Sequence, residues 1–490
     1  MTNTFLTSMS NSAQTVNGGA TNASSLNSCV DLFFQIGSMR SNAEEDILVA
    51  WTKAFLENPQ TALKILFWAR DVRQGAGERR VFRTILAHLA ERNPDLFTQK
   101  LVAQIPEFGR WDDLFVFFGT AVERQAANVI ENALQQNDAL CAKWMPREKG
   151  AKSHIARALR RHMGMTPRAY RKALSSLTTV VETQMCNKEW DDINYSHVPS
   201  QAMRIYKNAF RRNAPEAWSG YMSQLASGET KVNAGAIHPH QILGPYIECS
   251  SNRTSYRYDY NSYYTTEIQE IPQIVEEQWN ALPNWMISNK GSILPVVDTS
   301  GSMYGLPIQV AVSLGIYIAE RIAGPFQNHF VTFSDRPKMQ KMTGETLRQK
   351  LTSVCSAEWG MSTNIVGTFK AILHHATTSG ATAKDMPKTI LILSDMEFDA
   401  ATNNYINESA MQTIRRQYSE AGFVLPNIVF WNLNARLGNV PVRFDEQGTA
   451  LVSGFSPTIM KSILSTDSFT AESIMRMTID AERYNNITFE

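Results

Sequence analysis

The chain has 490 residues, 43% of them hydrophobic, and a formal net charge of +1. That length exceeds one ordinary core and predicts two or three globular domains. Near-neutrality excludes a global attraction to nucleic acid, so any such binding must come from local clustering.

Five cysteines, Cys29, Cys141, Cys186, Cys249 and Cys355, are scattered and form no Cys-x-x-Cys pair. This argues against a disulfide framework or a zinc knuckle and points to a reducing, cytoplasmic setting. No apolar stretch is long enough to span a membrane, so no membrane partner is expected. Residues 1–28 are rich in Ser, Asn, Thr and Gly and lack the basic start and apolar core of a signal peptide. They are expected to form a disordered tail.

Residues 29–286 carry a helical pattern with frequent punctuation. Ile47, Ala50, Trp51, Ala54 and Phe55 recur at helical spacing, as do Leu63, Leu66, Phe67 and Ala69. Gly75-Ala76-Gly77 interrupts the chain before Phe82, Ile85, Leu86 and Leu89 restart the period, and Asn93-Pro94, Pro106 and Gly109 mark further ends. Short helices joined by brief turns predict a stacked array rather than a compact bundle, without a strict sequence repeat. Arg70, Arg73, Arg79, Arg80 and Arg83 surround the Gly-x-Gly turn. That turn lacks the strand-first context of a dinucleotide fingerprint, and Asp71 and Glu78 could pair with the arginines, so a structural role is expected there.

The densest charge lies between Lys143 and Lys172, where Lys143, Arg147, Lys149, Lys152, Arg157, Arg160, Arg161, Arg168, Arg171 and Lys172 face one acid, Glu148. A helix over 153–163 puts Ile155, Ala158, Leu159 and Met163 inward and Arg157, Arg160 and Arg161 outward. The next helix turns Tyr170, Leu174, Leu177 and Val181 inward and Arg168, Arg171 and Lys172 outward. Two adjacent basic faces suit a phosphate backbone, and His154 and Trp144 could stack on unpaired bases. A charge run is often only a solvated face, but ordinary helices mix acids with bases and this stretch does not. Residues 250–266, rich in Tyr, Ser and Asn, read as a loop insertion.

From 287 to 490 the pattern becomes alternating strands and helices. Ile293–Val297, Phe330–Phe333, Thr389–Leu393 and Ile428–Trp431 are strand-like, with helices over Val310–Ile322 and Ile365–His375 between them. That alternation predicts a doubly wound parallel sheet with right-handed crossovers. Pro295 cannot donate to a central ladder and should sit at a strand start or face an irregularity.

The run Ile293–Val297 ends in Asp298-Thr299-Ser300-Gly301-Ser302, which brings one carboxylate and two hydroxyls into a tight turn. Thr363 lies in a polar turn ahead of a helical segment, and Asp395 ends another apolar strand. Residues at the carboxyl ends of strands in one open α/β sheet converge on a common crevice. Hard divalent cations prefer such oxygen ligands, so Asp298, Ser300, Ser302, Thr363 and Asp395 are the candidate metal site. Mg2+ is the expected ion, with Mn2+ or Ca2+ as alternatives. Ser394 and Asp399 read as turn or cap residues.

In these five residues the chain resembles the von Willebrand factor A domain and its metal-ion-dependent adhesion site. The resemblance implies that Ser300, Ser302 and Thr363 bind the metal directly or through water, and that Asp298 and Asp395 often act through water. A helical array followed by an A domain in turn resembles the Ro (TROVE) family of RNA-binding proteins. Segments such as Ala69-Arg70-Asp71-Val72-Arg73-Gln74-Gly75-Ala76-Gly77-Glu78-Arg79, Trp144-Met145-Pro146-Arg147-Glu148, Cys186-Asn187-Lys188-Glu189-Trp190 and Val198-Pro199-Ser200-Gln201-Ala202-Met203 are similar to a Ro-like group found in bacteria, viruses and eukaryotes. The resemblance implies a HEAT-like helical array closed into a ring by the A domain, with structured RNA on its outer basic surface.

The function expected from these readings is non-catalytic binding of small structured or misfolded RNA, combined with an A domain whose metal accepts a partner's carboxylate. The RNA-binding residues would be Lys143, Arg147, Lys149, Lys152, His154, Arg157, Arg160, Arg161, Arg168, Arg171 and Lys172. The alternative is a metal-dependent protein-interaction scaffold without RNA. An enzyme is not expected, because the chain has no Gly-x-x-x-x-Gly-Lys-Ser/Thr loop, His-Glu-x-x-His pair or Gly-x-Ser-x-Gly elbow. A metal-dependent hydrolase or nuclease is the third reading, since a hydroxyl-held metal could activate water.

Overall fold

The computed structural model describes residues 11–247, 269–286, 292–333, 337–357, 363–399, 410–465 and 468–489. The tyrosine-rich stretch 250–266 lies outside them. Two short strands, β1 (Ser12–Gln14) and β2 (Ala20–Asn22), open the described chain as an antiparallel hairpin. Helices follow: α1 (Ser28–Ile36), α2 (Glu44–Glu57), α3 (Pro59–Arg70), α4 (Arg80–Arg92), α5 (Gln99–Phe108), α6 (Glu123–Gln135) and α7 (Ala139–Trp144). The series continues with α8 (Ser153–His162), α9 (Pro167–Leu177), α10 (Val181–Asn187), α11 (Ser200–Asn213), α12 (Pro215–Ser227), α13 (Pro239–Leu243) and α14 (Gln273–Asn280). Among the described residues no helix is long and apolar enough to cross a membrane.

Local sequence sets several of these helix starts. The Asn58 side chain accepts from the Thr61 amide at 2.9 Å with Pro59 in the first turn of α3, and Asp138 caps α7 through the Cys141 amide at 2.7 Å. Thr166 and Pro167 start α9 in the same way. Glu44, Glu45 and Asp46 place three carboxylates at the positive end of α2. Packing then supplies most of the stability: Phe67 sets its ring edge against Phe82 and Phe108, and Phe33 lies 4.4 Å from Trp68.

The second half is a mixed α/β unit. Its strands are β3 (Ile293–Val297), β4 (His329–Thr332), β5 (Met339–Lys341), β6 (Thr389–Ser394), β7 (Asn427–Asn432) and β8 (Thr449–Ser453), in the order β5-β4-β3-β6-β7-β8. β4, β3, β6, β7 and β8 run parallel, and β5 is an antiparallel edge. The helices are α15 (Leu306–Arg321), α16 (Leu347–Cys355), α17 (Ile365–Ser379), α18 (Ala410–Glu420), α19 (Met460–Ser465) and α20 (Ala471–Ile479). The order reverses between β3 and β6, the place where a parallel sheet opens a crevice at its carboxyl end.

Pro295 sits in the middle of β3, opposite Leu391, rather than at the strand start. The reason is the direction of its missing N–H. The Asp298 amide donates to the Leu393 carbonyl on β6, so by alternation Pro295 faces β4, whose ladder begins only at Val296. No ladder bond is therefore lost.

The two halves interlock at both termini. Residues 12–22, expected to lie in a disordered tail, form the β1–β2 hairpin and bond Val440 through both the amide and the carbonyl of Asn22. The correction has a physical cause: the hairpin's partners lie near residue 400 and beyond, so its polar composition alone resembles a tail. Gly19 lies so close to the Phe398 carbonyl that a Cβ would come within 2.5 Å of it. Helix α1 packs on β8, with the Ser453 hydroxyl donating to the Phe33 carbonyl at 2.6 Å. At the other terminus, Arg483 and Tyr484 bond the fully buried Asp71, and Tyr484 stacks on Phe108. The change of pattern near residue 286 thus separates two kinds of structure that share one continuous hydrophobic core.

Candidate cation site and basic helix pair

Four of the five oxygen-bearing residues expected to form a metal site, Asp298, Ser300, Ser302 and Asp395, come together at the carboxyl ends of β3 and β6, and Thr363 is tied to the segment that follows β6. Asp298 leaves β3 and accepts from the Ser300 amide at 2.9 Å, which tightens the turn. The Ser300 and Ser302 hydroxyls lie 3.2 Å apart, and Ser302 also bonds Asp395, the residue that follows β6. Thr363 approaches from the start of α17, where its carbonyl accepts from the Asp399 amide at 3.2 Å. Asp298, Ser300, Thr363 and Asp395 are buried, while Ser302 is exposed and marks the open side.

The electrostatics suit a cation. Burial, then the neighbouring Asp395 carboxylate, pushes the Asp298 carboxyl up to about 6. Burial likewise raises Asp395, against the Ser302 hydroxyl that holds it down. Thr363 Oγ1 and Asp395 Oδ2 are buried without a hydrogen-bond partner among the described residues. A buried acceptor left unpaired costs about 1–3 kcal/mol, so each of these oxygens would gain from a positive ligand. Among the described residues no three His, Cys, Asp or Glu side chains gather into a metal-holding group. This site instead combines two carboxylates with three hydroxyls, a donor set suited to a hard divalent cation such as Mg2+.

Three contributors to the site were not singled out in the sequence. Ser394, expected to be a turn residue, donates its hydroxyl to Asp298 Oδ2 and orients that carboxylate from the adjacent strand. Glu397, two residues beyond Asp395, is buried and accepts from the Val16 amide at 2.6 Å and from Asn439 Nδ2 at 3.1 Å. Arg436 lies 3.4 Å from Glu397 and 4.0 Å from Asp395 Oδ2. The Asp-x-Glu spacing was the available signal for Glu397; Arg436 and Ser394 had none. His374 and His375 are exposed on α17.

The basic stretch folds as the helix pair α8 and α9. Ile155, Leu159, Tyr170 and Leu174 are buried, and Ala158, Met163, Leu177 and Val181 are half-buried. Arg147, Lys149, Lys152, His154, Arg157, Arg161, Arg168, Arg171 and Lys172 are exposed. Lys152 rests on the Phe115 ring at 4.7 Å. Two cations are committed elsewhere: Arg160 pairs with Glu148 at 2.7 Å and donates to the Met165 carbonyl, and Lys143 pairs with Glu182 at 2.7 Å. Trp144 is covered by the Arg110 guanidinium at 4.2 Å, so its ring is not a free stacking platform on that face.

Residues 15–137 and 126–293 match the Domain of unknown function (DUF2828), and residues 292–487 match the Domain of unknown function (DUF7788). An uncharacterized protein of Acanthamoeba polyphaga mimivirus is 31% identical over 520 residues, covering 95% of this chain and 87% of the relative. The chain belongs to the DUF2828 family, and the family boundary at 292–293 falls at the entrance to β3.

Proposed function

We propose that this member of the DUF2828 family is a non-catalytic RNA-binding protein whose C-terminal unit is a von Willebrand factor A-like domain holding a divalent cation for a partner's carboxylate. The observation that carries the proposal is the cluster of Asp298, Ser300, Ser302 and Asp395 at the ends of β3 and β6, with Asp395 Oδ2 and Thr363 Oγ1 buried and without a hydrogen bond among the described residues. A cation there would be held by Asp298, Ser300, Ser302, Thr363 and Asp395, and its open side would face solvent past Ser302. The strand order with its antiparallel edge supports the A-domain reading. The many short helices support a HEAT-like, Ro-like array.

The RNA arm rests on the nine exposed basic groups of the α8–α9 region. Their spacing on adjacent faces suits a phosphate backbone, and binding of this kind weakens steeply with salt. The reading of a metal-dependent scaffold without RNA draws support from the Lys143–Glu182 and Arg160–Glu148 pairs, which neutralise two of the eleven expected contacts. Gel-shift titration of structured RNA at several salt concentrations separates the two. RNA binding predicts a steep salt slope that Arg157→Glu with Arg161→Glu flattens, and a slope unaffected by that change would refute the surface assignment. The cation arm is tested separately, by asking whether Mg2+ raises the unfolding temperature of the wild type and not of Asp298→Ala.

A further inference from the structure

The arginine cluster at the Gly-x-Gly turn does more than brace the fold. Val72–Arg80, between α3 and α4, meets His238–Gln241 at the start of α13, and together they wall a cleft of about 520 Å³. That volume lies within the roughly 300–1,000 Å³ of small-molecule sites. Five arginines line the cleft against one acid, Glu78. Three are neutralised: Arg40 pairs with Glu78, Arg70 with Asp113 at 2.8 Å, and Arg110 with Asp112 at 3.1 Å. Two are not. Arg80 donates to the backbone carbonyls of Arg40 and Asn42, and the Arg79 guanidinium has no hydrogen bond or ion pair among the described residues.

The placement of those two charges is the anomaly. Arg79 is the N-cap and Arg80 the first residue of the 13-residue helix α4, whose N-terminus has no side-chain cap and no acid in its first turn. Two cations at the positive end of a helix repel it and one another, and an anion bound between them reverses the sign of both effects. A second, independent feature faces the same cleft. His240 is 8% exposed, and its Nδ1 is buried without a hydrogen-bond partner. It stacks on His238 at 5.9 Å and sets its ring against Phe455. Burial, then the charge of Arg40, depresses His238 to about 4, and burial first also depresses His240, so both rings are neutral at pH 7.

We infer that this cleft binds a phosphate monoester on a ligand of mononucleotide size, held by Arg79, Arg80 and the α4 N-terminus, with His240 supplying a further polar contact. The group could arrive on a free mononucleotide or as the terminal phosphate of an RNA strand. This inference is independent of the cation site and of the α8–α9 surface.

The test is isothermal titration calorimetry on the full chain with inorganic phosphate, AMP, adenosine, and an RNA trinucleotide with or without a 5′-phosphate. Phosphate and AMP should bind at one site and adenosine should not. The Arg79→Gln, Arg80→Gln double variant should lose about tenfold or more in affinity, since charge-assisted bonds are removed. Both side chains are exposed, and an unfolding curve checks that the variant is folded; Arg79→Gln alone serves if it is not. Tighter binding of AMP than of the phosphorylated trinucleotide identifies a free nucleotide as the source, and the reverse identifies an RNA end. The inference is overturned if phosphate and AMP give no binding, if the arginine variants match the wild type, or if Arg157→Glu with Arg161→Glu weakens binding equally.

Discussion

Replacing Thr363 by valine should move stability in opposite directions with and without metal. The side chains have nearly the same shape, so packing around this fully buried position is kept and only the hydroxyl is removed. In metal-free protein Thr363 Oγ1 is a buried acceptor without a partner, and deleting it relieves a desolvation penalty of about 1–3 kcal/mol. For a unit of this size that is a rise of roughly 2–4 °C in unfolding temperature per kcal/mol. With Mg2+ at about a hundred times its dissociation constant, the wild type gains some 2.7 kcal/mol from binding. Thr363→Val, lacking a ligand oxygen, should lose most of that gain. The assay is differential scanning calorimetry of both proteins after chelation and again in excess Mg2+, which should reverse their ranking. A variant that is less stable without metal, and that keeps the full Mg2+ shift, would refute the assignment of Thr363.

Two further outcomes follow from buried groups outside the cation site. Asp71→Ala removes the carboxylate that Arg483 and Tyr484 share across the joint between the two halves, and should cost about 3–5 kcal/mol; urea denaturation followed by tryptophan fluorescence reads the loss. The contribution of His238 and His240 to stability should also fall on acidification from about pH 6.5 toward about 4, because both stay neutral in the fold while the unfolded chain protonates them. At these two rings the unfolded state binds more protons in that window, so their contribution to stability rises with pH through it and levels off above, by at most about 1.4 kcal/mol per pH unit for each histidine. Denaturant midpoints at pH 5, 6 and 7.5 are compared with those of a His238→Asn, His240→Asn variant, which keeps the opposite contribution of the raised Asp298 carboxyl, and equal slopes would show that neither ring is held neutral.

The parts of the fold written in contiguous apolar runs were legible in the chain. Ile293–Val297, Thr389–Ser394 and Asn427–Asn432 combine β-branched runs with flanking breaks, and the oxygen-bearing residues at their ends could be placed in one crevice from topology alone. β8 was not legible, because Thr449–Ser453 is short and begins and ends in hydroxyl residues, which leaves too brief an apolar run to set a period. The same holds for the three-residue β5 and for the hairpin, whose stability comes from Glu397, Phe398 and Val440. Long-range pairing was the other blind spot. Lys143 looked free because Glu182 lies 39 residues away, and Ser394 looked like a turn residue because Asp298 lies 96 residues before it. The cluster around Gly75-Ala76-Gly77 could be seen in the sequence. Which arginines remain uncompensated depends on Asp112 and Asp113, whose partners only folding reveals.

The central claim is that β3 and β6 present one oxygen-lined cation site. Electron paramagnetic resonance of Mn2+ titrated into metal-stripped protein counts bound ions directly, without requiring any partner or activity. The wild type should take up one Mn2+ per chain, displaced by excess Mg2+, and Asp298→Ala should take up none. Failure of the wild type to bind, or equal uptake by the variant, would contradict the account.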